Sequence, residues 1–312
     1  MKKTAICGVW HVHAEDYTRL AMKHSEVIGV WDADEDRKND FCAKLGLSAF
    51  GSFDELIASD AEQVIVCSSS DTHASLMIEI AKAKKDIFTE KVLALTNEDC
   101  EAVASAVREN DVRFAISLVH KYNPGPITVK SVVDSGELGK ISYLRFRNCH
   151  NGSIAGWLPR HFYDLKECGG GAMIDLGAHG FYLATQLLGM PTSVKSVFTS
   201  ACENPETIAK NPDNVEDNAV TVMGFDSGAI AINETSFVSG AFPMMLEVDG
   251  EKGYVRFSEG RVIKKIGGTV SEVEMLPATP SPLVRFLTDG DLSECDMDDA
   301  LELTRVMVEA YK

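Results

Sequence analysis

The first third of the chain alternates short apolar runs with amphipathic stretches. Residues 3–8 (KTAICG) form an apolar run ending at Gly8, 14–23 carry a helical pattern, and 26–31 (EVIGVW) form a second run ending at Asp32. Residues 35–45 are predicted helical. Ser52 to Ala58 reads as a short helix capped by Ser52, with Glu55 completing a capping box. A buried strand at 62–67 (EQVIVC) runs into the polar loop Ser68-Ser69-Ser70-Asp71-Thr72-His73, followed by a helix at 74–84. Strand Asp86 to Lys91, helix Asn97 to Glu109 and strand Val112 to Leu118 complete the series. The pattern predicts strands with intervening helices, a doubly wound parallel sheet.

Near residue 119 the pattern changes. His120-Lys121-Tyr122-Asn123-Pro124 forms a junction, followed by a helix at 125–135. Strand-like runs follow at 141–149, 193–199, 218–225, 229–237, 244–249 and 253–257, many separated by turns such as Asp226-Ser227-Gly228 and Asp249-Gly250. Such spacing predicts an antiparallel sheet. Residues 202–217 read as a polar surface loop, and helices at 282–288 and Met297 to Tyr311 close the chain. The fold class is α/β, with a doubly wound parallel domain at 1–119 and an α+β domain with a mainly antiparallel sheet at 120–312.

Composition narrows the function classes. A formal charge of −17 argues against nucleic acid and anionic membrane surfaces as partners. No run approaches the ~20 apolar residues of a membrane span, and the first residues, MKKTAICGVWHVH, lack the features of a secretion signal. The eight cysteines show no CxxC and no Cys/His spacing suited to zinc. A reduced, cytoplasmic protein without a metal is expected.

Candidate chemistry gathers at three places. The first is the β-α-β unit, in which Asp32 stands 24 positions after Gly8. That spacing suits an acid accepting hydrogen bonds from the adenosine ribose of a dinucleotide. A GxGxxG fingerprint from Gly8 would need glycines where Trp10 and His13 stand. Trp10 closes the first turn or walls the cofactor. His11 and His13 donate to phosphate or face solvent. The following helix N-terminus still offers N–H donors. The second place is the Ser68–His73 loop, at the carboxyl end of a parallel strand, where open α/β sheets bind ligands. The third is Gly169 to His179, GGGAMIDLGAH. Its glycines imply unusual backbone angles or close approach by a ligand. Asp175 and His179, at i and i+4, share a helical face, and the acid can orient the imidazole for proton transfer. His161, Tyr163 and Asp164 precede the glycines, and Trp157, His150 and Asn151 lie further upstream. All are candidates either for lining a substrate pocket, Trp157 by stacking on a sugar, or for loop packing.

These residues together resemble the Gfo/Idh/MocA family, the glucose–fructose oxidoreductase, inositol dehydrogenase and rhizopine-catabolism group. The Ser68–His73 loop stands where that family has TPN-x-x-H, and Glu90-Lys91-Val92 where it has EKP. Lys121-Tyr122-Asn123-Pro124 resembles its R-[FY]-x-P element, GGGAMIDLGAH its GGG-x-x-x-D-x-x-x-H helix, and SPLVRFL with the last helix its usual ending. The resemblance implies an N-terminal Rossmann domain and an open, mainly antiparallel C-terminal sheet. It also implies hydride transfer between nicotinamide and a hydroxyl carbon of a sugar, polyol or related small molecule.

Carried over, Lys91, Asp175 and His179 form the catalytic trio. Removing an alcohol proton as hydride leaves requires a base and a cation to steady the developing alkoxide. His179 is the acid or base, Lys91 polarises the oxygen, and Asp175 orients substrate or imidazole. The implied cofactor contacts are Gly8, Trp10, His11, His13, Asp32, Ser68, Ser69, Ser70, His73, Glu90, Lys91 and Lys121. Asp32-Ala33-Asp34 has no following arginine and would set two carboxylates against a 2′-phosphate, so NAD is expected rather than NADP. An NAD-dependent glycosidase on the same scaffold, or a non-catalytic nucleotide-binding regulator, are the alternatives. Strand 229–237 and residues 244–248 carry apolar surface, which predicts a homodimer or homotetramer through the sheet.

Overall fold

Five of the apolar runs pair side by side into one parallel sheet: β1 (Lys3–Cys7), β2 (Glu26–Trp31), β3 (Gln63–Val66), β4 (Asp86–Thr89) and β5 (Phe114–Ile116), in the order β2-β1-β3-β4-β5. This computed structural model describes residues 1–240 and 244–312. Beside β2, Val30 and Ala49 make an isolated parallel bridge that no apolar run predicts. Val30 donates to Ser48 and Phe50 to Val30, and then Gly51 and the Ser52 cap turn the chain into the helix Phe53–Ala58. The order reverses between β1 and β3, so the crevice at their carboxyl ends is the sheet's switch point.

Local chemistry starts the helices where the pattern places them. Asp34, Ser52 and Thr96 each accept a backbone N–H of the first turn that follows. Residues Met1–Ser117 form one unit together with Pro280–Thr304. The returning segment covers the β5 edge: the Ile116 amide donates to Cys295, Arg113 Nη1 bonds Asp289 Oδ1 at 2.6 Å, and Phe286 packs against Phe88.

The second unit comprises Leu118–Thr279 and Arg305–Lys312. Its sheet has eight strands: β6 (Ile141–Cys149), β7 (Ser193–Thr199), β8 (Asn218–Gly224), β9 (Ile230–Ser236), β10 (Met245–Gly250), β11 (Gly253–Ser258), β12 (Arg261–Ile266) and β13 (Thr269–Val273). The order is β13-β12-β11-β10-β6-β9-β8-β7, antiparallel except for the β6–β9 pair. β12 and β13 fall outside the expected strands. β13 is an edge with little buried surface, so it has no apolar alternation to betray it. The polar segment expected as loop at 202–217 contains the helix Pro205–Lys210, capped by Asn204.

Alternation decides the two faces. Leu144, Phe146, Ala231, Leu246 and Val248 point inward. The helix Ala178–Leu188 lies against that face, tied to it by Asn233, whose amide donates to Gly177 at 2.7 Å. The opposite face shows Val197, Val220, Val222 and Ile230.

Candidate active site

The first unit builds a cleft at the switch point. Gly8 takes φ +84°, and a side chain there would run into the backbone of Ser68. Any other residue would push the loops after β1 and β3 apart. Gly8, Trp10, Trp31, Asp32, Ala33, Arg37, Ser68, Ser69 and Thr72 line a half-open cleft.

Asp32 is buried there and fully engaged. Val9 N donates to Oδ2 at 2.6 Å and Asp34 N to Oδ1 at 2.8 Å. Arg37 grips both oxygens, Nη2 to Oδ1 at 2.7 Å and Nε to Oδ2 at 3.2 Å. The ribose corner therefore holds a cation as well as the two acids expected from sequence. Arg37 is five residues beyond Asp32 and reaches back from the first helical turn.

The loop that would cradle phosphates is closed on itself. The Gly8 amide donates to Trp31 O at 2.7 Å, and the Trp10 and His11 amides both donate to Cys67 O at 3.1 Å. His13 N bonds His11 Nδ1 at 3.3 Å, and the helix that follows carries Glu15 and Asp16 in its first turn. The adenosine side of the cleft thus fits a dinucleotide. On the phosphate side, these donors already serve the protein.

Beyond that loop, Glu90 follows β4 directly and is almost wholly buried. Its Oε1 lies 2.7 Å from His13 Nδ1 and accepts the Tyr17 hydroxyl at 2.5 Å, while Oε2 accepts the Lys91 amide at 2.8 Å. Burial pushes the Glu90 carboxyl up, but His11, His13 and Lys91 outweigh it and hold it well below the usual carboxylate range. Lys91 is buried, and its peptide bond to Val92 is cis. His73, expected among the cofactor contacts, is a brace. It is buried, with Nδ1 2.8 Å from Val92 O and Nε2 3.1 Å from Ser68 O, so the ring packs between the β3 and β4 loops and gives its N–H to one of the two carbonyls. Ser70 lies outside the cleft lining.

The second unit holds the other candidates. Gly169 takes φ +79°, and side chains at Gly170 and Gly171 would overlap the Tyr311 hydroxyl and the Glu216 carbonyl. The close approach expected of a ligand is made by the protein itself. Glu216 Oε1 accepts Gly171 N at 2.9 Å, Met173 N at 3.1 Å and the Tyr311 hydroxyl at 2.6 Å; the Tyr311 oxygen accepts Ile174 N at 3.0 Å. This clamp starts a π-helical turn, Met173–Gly177, that carries Asp175 and leads into Ala178–Leu188. Such wide turns recur at functional sites.

His179 is buried, its Nδ1 2.8 Å from the Tyr182 hydroxyl, which in turn accepts His120 N at 3.0 Å. The phenol can give its proton to Nδ1 or accept one from it, so it serves both forms of the imidazole. The His120 ring lies edge-on at 4.4 Å, and its Nδ1 is 2.9 Å from the Asn123 amide. Lys121 is buried on the same short turn, Val119–Tyr122.

Some of the weaker candidates gather. His150 stacks on Phe237 at 4.8 Å and meets Trp157 at 4.8 Å, with its Nδ1 accepting Gly152 N at 3.0 Å. Burial lowers the His150 pKa against the pull of Asp175, so it is a neutral ring near that acid. Trp157 remains 55% exposed, a free aromatic face. Tyr163 and Asp164 do not join them. Tyr163 sits in the core with its hydroxyl 2.7 Å from Ser153 Oγ, and Asp164 caps Leu165–Cys168. His161 stands beside Phe162, its carbonyl accepting from Cys168.

Sequence reasoning missed Arg37, Tyr182, Glu216 and Tyr311. Tyr182 was legible as the i+3 neighbour of His179 on one helix. Glu216 and Tyr311 arrive from distant segments and carried no signal.

Comparison with known proteins agrees across both units. Residues 2–118 match the oxidoreductase family with an NAD-binding Rossmann fold, and residues 127–256 the GFO/IDH/MocA C-terminal domain. The chain is 30% identical to myo-inositol 2-dehydrogenase of Thermotoga maritima over 250 residues, 78% of this chain and 70% of that protein. It is 26% identical to scyllo-inositol 2-dehydrogenase (NAD(+)) of Bacillus subtilis over 248 residues, 78% of this chain and 69% of that one. Levoglucosan dehydrogenase in complex with NADH shares the fold with a TM-score of 0.84 at 17% identity, covering 99% of this chain and 96% of that one.

Proposed function

The chain belongs to the GFO/IDH/MocA oxidoreductase family, and from that premise we propose that it is an NAD-dependent dehydrogenase acting on a CH–OH carbon of a polyol or sugar-like compound. The observation that carries this reading is the switch-point cleft with Asp32 buried at its wall. The relatives named as inositol dehydrogenases make cyclic polyols the first class to test.

When bound, a nicotinamide supplies the hydride acceptor or donor. The chain's own residues do the rest. Lys91 faces the reacting oxygen as a cation and polarises it. His179 moves the hydroxyl proton through Nε2 while Tyr182 holds Nδ1. Asp175 orients the substrate, with neutral His150 and the Trp157 face beside it. Asp32 favours NAD over NADP, because a 2′-phosphate must compete with that carboxylate for Arg37. Gly8, Trp10, Ser68 and Ser69 frame the nucleotide. Lys121 is assigned to the nicotinamide side on family resemblance.

The exposed valines and isoleucine of the open sheet face support a homodimer or homotetramer. All eight cysteines are free and seven are buried, and burial pushes Cys100 up to about 11. Such thiols suit a reducing, cytoplasmic setting. Among the described residues no helix is long and apolar enough to cross a membrane.

The test is a titration with NADH and NADPH, followed by a polyol screen reading net NADH. Tighter NADH binding and accumulation of NADH support the proposal. Lys91→Ala should cost about 10²–10⁴-fold in kcat while leaving NADH bound. Catalysis without net NADH would favour the glycosidase, and binding without catalysis the regulator.

A further inference from the structure

His11 and His13 lie two residues apart in the loop after β1, and the buried Glu90, just after β4, stands beside them. One ligand atom from each lies within 4.8 Å of the others. We propose that His11, His13 and Glu90 form a binding site for a divalent transition cation of the zinc type. The inference does not depend on the dinucleotide reading.

The donor set points to the ion. Two imidazoles and one carboxylate suit zinc and its neighbours, whereas calcium and magnesium take oxygen. Ligand bonds of about 2.0–2.2 Å at a tetrahedral zinc place donor atoms roughly 3.3 Å apart. Here Glu90 Oε1 lies 2.7 Å from His13 Nδ1 and 3.9 Å from His11 Nδ1. These separations bracket the required one and all three donor atoms lie within 4.8 Å of one another, so modest side-chain rotations admit the ion once His11 Nδ1 releases the His13 amide it accepts at 3.3 Å.

The surroundings are built as metal sites are. Tyr17, itself 2.6 Å from Ser117 Oγ, bonds Glu90 Oε1, and the Lys91 amide bonds Oε2. Such outer bonds orient ligating carboxylates. His11 and Glu90 are buried, while the His13 side chain is 42% exposed and gives the ion an entry. Three protein ligands leave a position for water or another oxygen ligand. No spacing motif announces the site, because Glu90 stands 77 residues beyond His13.

The experiment uses the full chain without a polyhistidine tag, stripped with chelator and titrated with Zn²⁺ against a chromophoric competitor. One equivalent should bind at micromolar affinity or tighter, and Co²⁺ should give a visible spectrum of low-coordinate N/O ligation. His11→Ala and His13→Asn should each weaken binding at least about tenfold, and Tyr17→Phe about tenfold. His24→Ala and Cys202→Ser should leave it unchanged. His13 is half exposed, so His13→Asn decides the matter should His11→Ala fail to fold. Absence of stoichiometric binding, or binding retained in a folded His13→Asn chain, overturns the site.

Discussion

Glu216 tests whether the glycine turn is held by the protein rather than by a ligand. Its Oε1 receives two backbone amides, Gly171 and Met173, and the Tyr311 hydroxyl, all in a buried setting. Glu216→Ala strands both amides, and each buried unsatisfied group costs about 1–3 kcal/mol. The phenol keeps a partner in Ile174 N. The expected loss is therefore about 2–6 kcal/mol, or roughly 4–24 °C in Tm for a unit of this size. Glu216→Gln keeps a carbonyl oxygen in the same place and should lose only about 1–2 kcal/mol, the difference between a charged and a neutral acceptor. Denaturant unfolding measures the sum, and hydrogen exchange at Gly171 and Met173 measures the two amides directly. Both amides should exchange faster in Glu216→Ala and remain protected in Glu216→Gln. A Glu216→Ala protein within about 1 kcal/mol of the parent, with those amides still protected, would refute the clamp.

Tyr182→Phe removes the phenol that serves His179 Nδ1 and should lower kcat about tenfold and shift the pH–rate profile, with KM little changed; an unaltered profile would remove Tyr182 from the positioning role. Burial lowers the pKa of both His73 and His150 from the ordinary 6.5, so the unfolded chain binds more protons below that value. Stability should therefore be full above pH about 6.5 and fall as the pH drops through the lowered folded values, and His150→Phe should flatten part of that fall in urea midpoints. Equal slopes for variant and parent would contradict the buried neutral ring. The exposed face bearing Val220, Val222 and Ile230 predicts that Val222→Lys raises the monomer fraction in light scattering, and a parent protein already monomeric at micromolar concentration removes the sheet interface.

What was legible in the chain is what local chemistry determines. Apolar runs between helical stretches give the parallel strands, because a strand covered on both faces must be apolar throughout. The Gly8-to-Asp32 spacing located the cleft, since a β-α-β unit fixes the distance between the first turn and the second strand's end. The bridge at Ala49 and the exposed strand β13 were not legible, because neither buries enough surface to leave a pattern. Nor was the return of Pro280–Thr304 to the first unit, which a helical pattern alone does not place. At the site, residue types were read better than their partners. Asp175 and His179 announced themselves by helical spacing, yet the reason for the glycines before them lies in Glu216 and Tyr311, which only tertiary folding delivers. The same limit explains His73. A polar residue in a ligand-facing loop invites a cofactor role, but this ring is buried between carbonyls of two different loops and its N–H is given to one of them. It also explains the first loop, where losing two glycines looked like damage to a phosphate cradle. Folding brings Glu90 to the histidines there, and the replacement has a chemistry of its own.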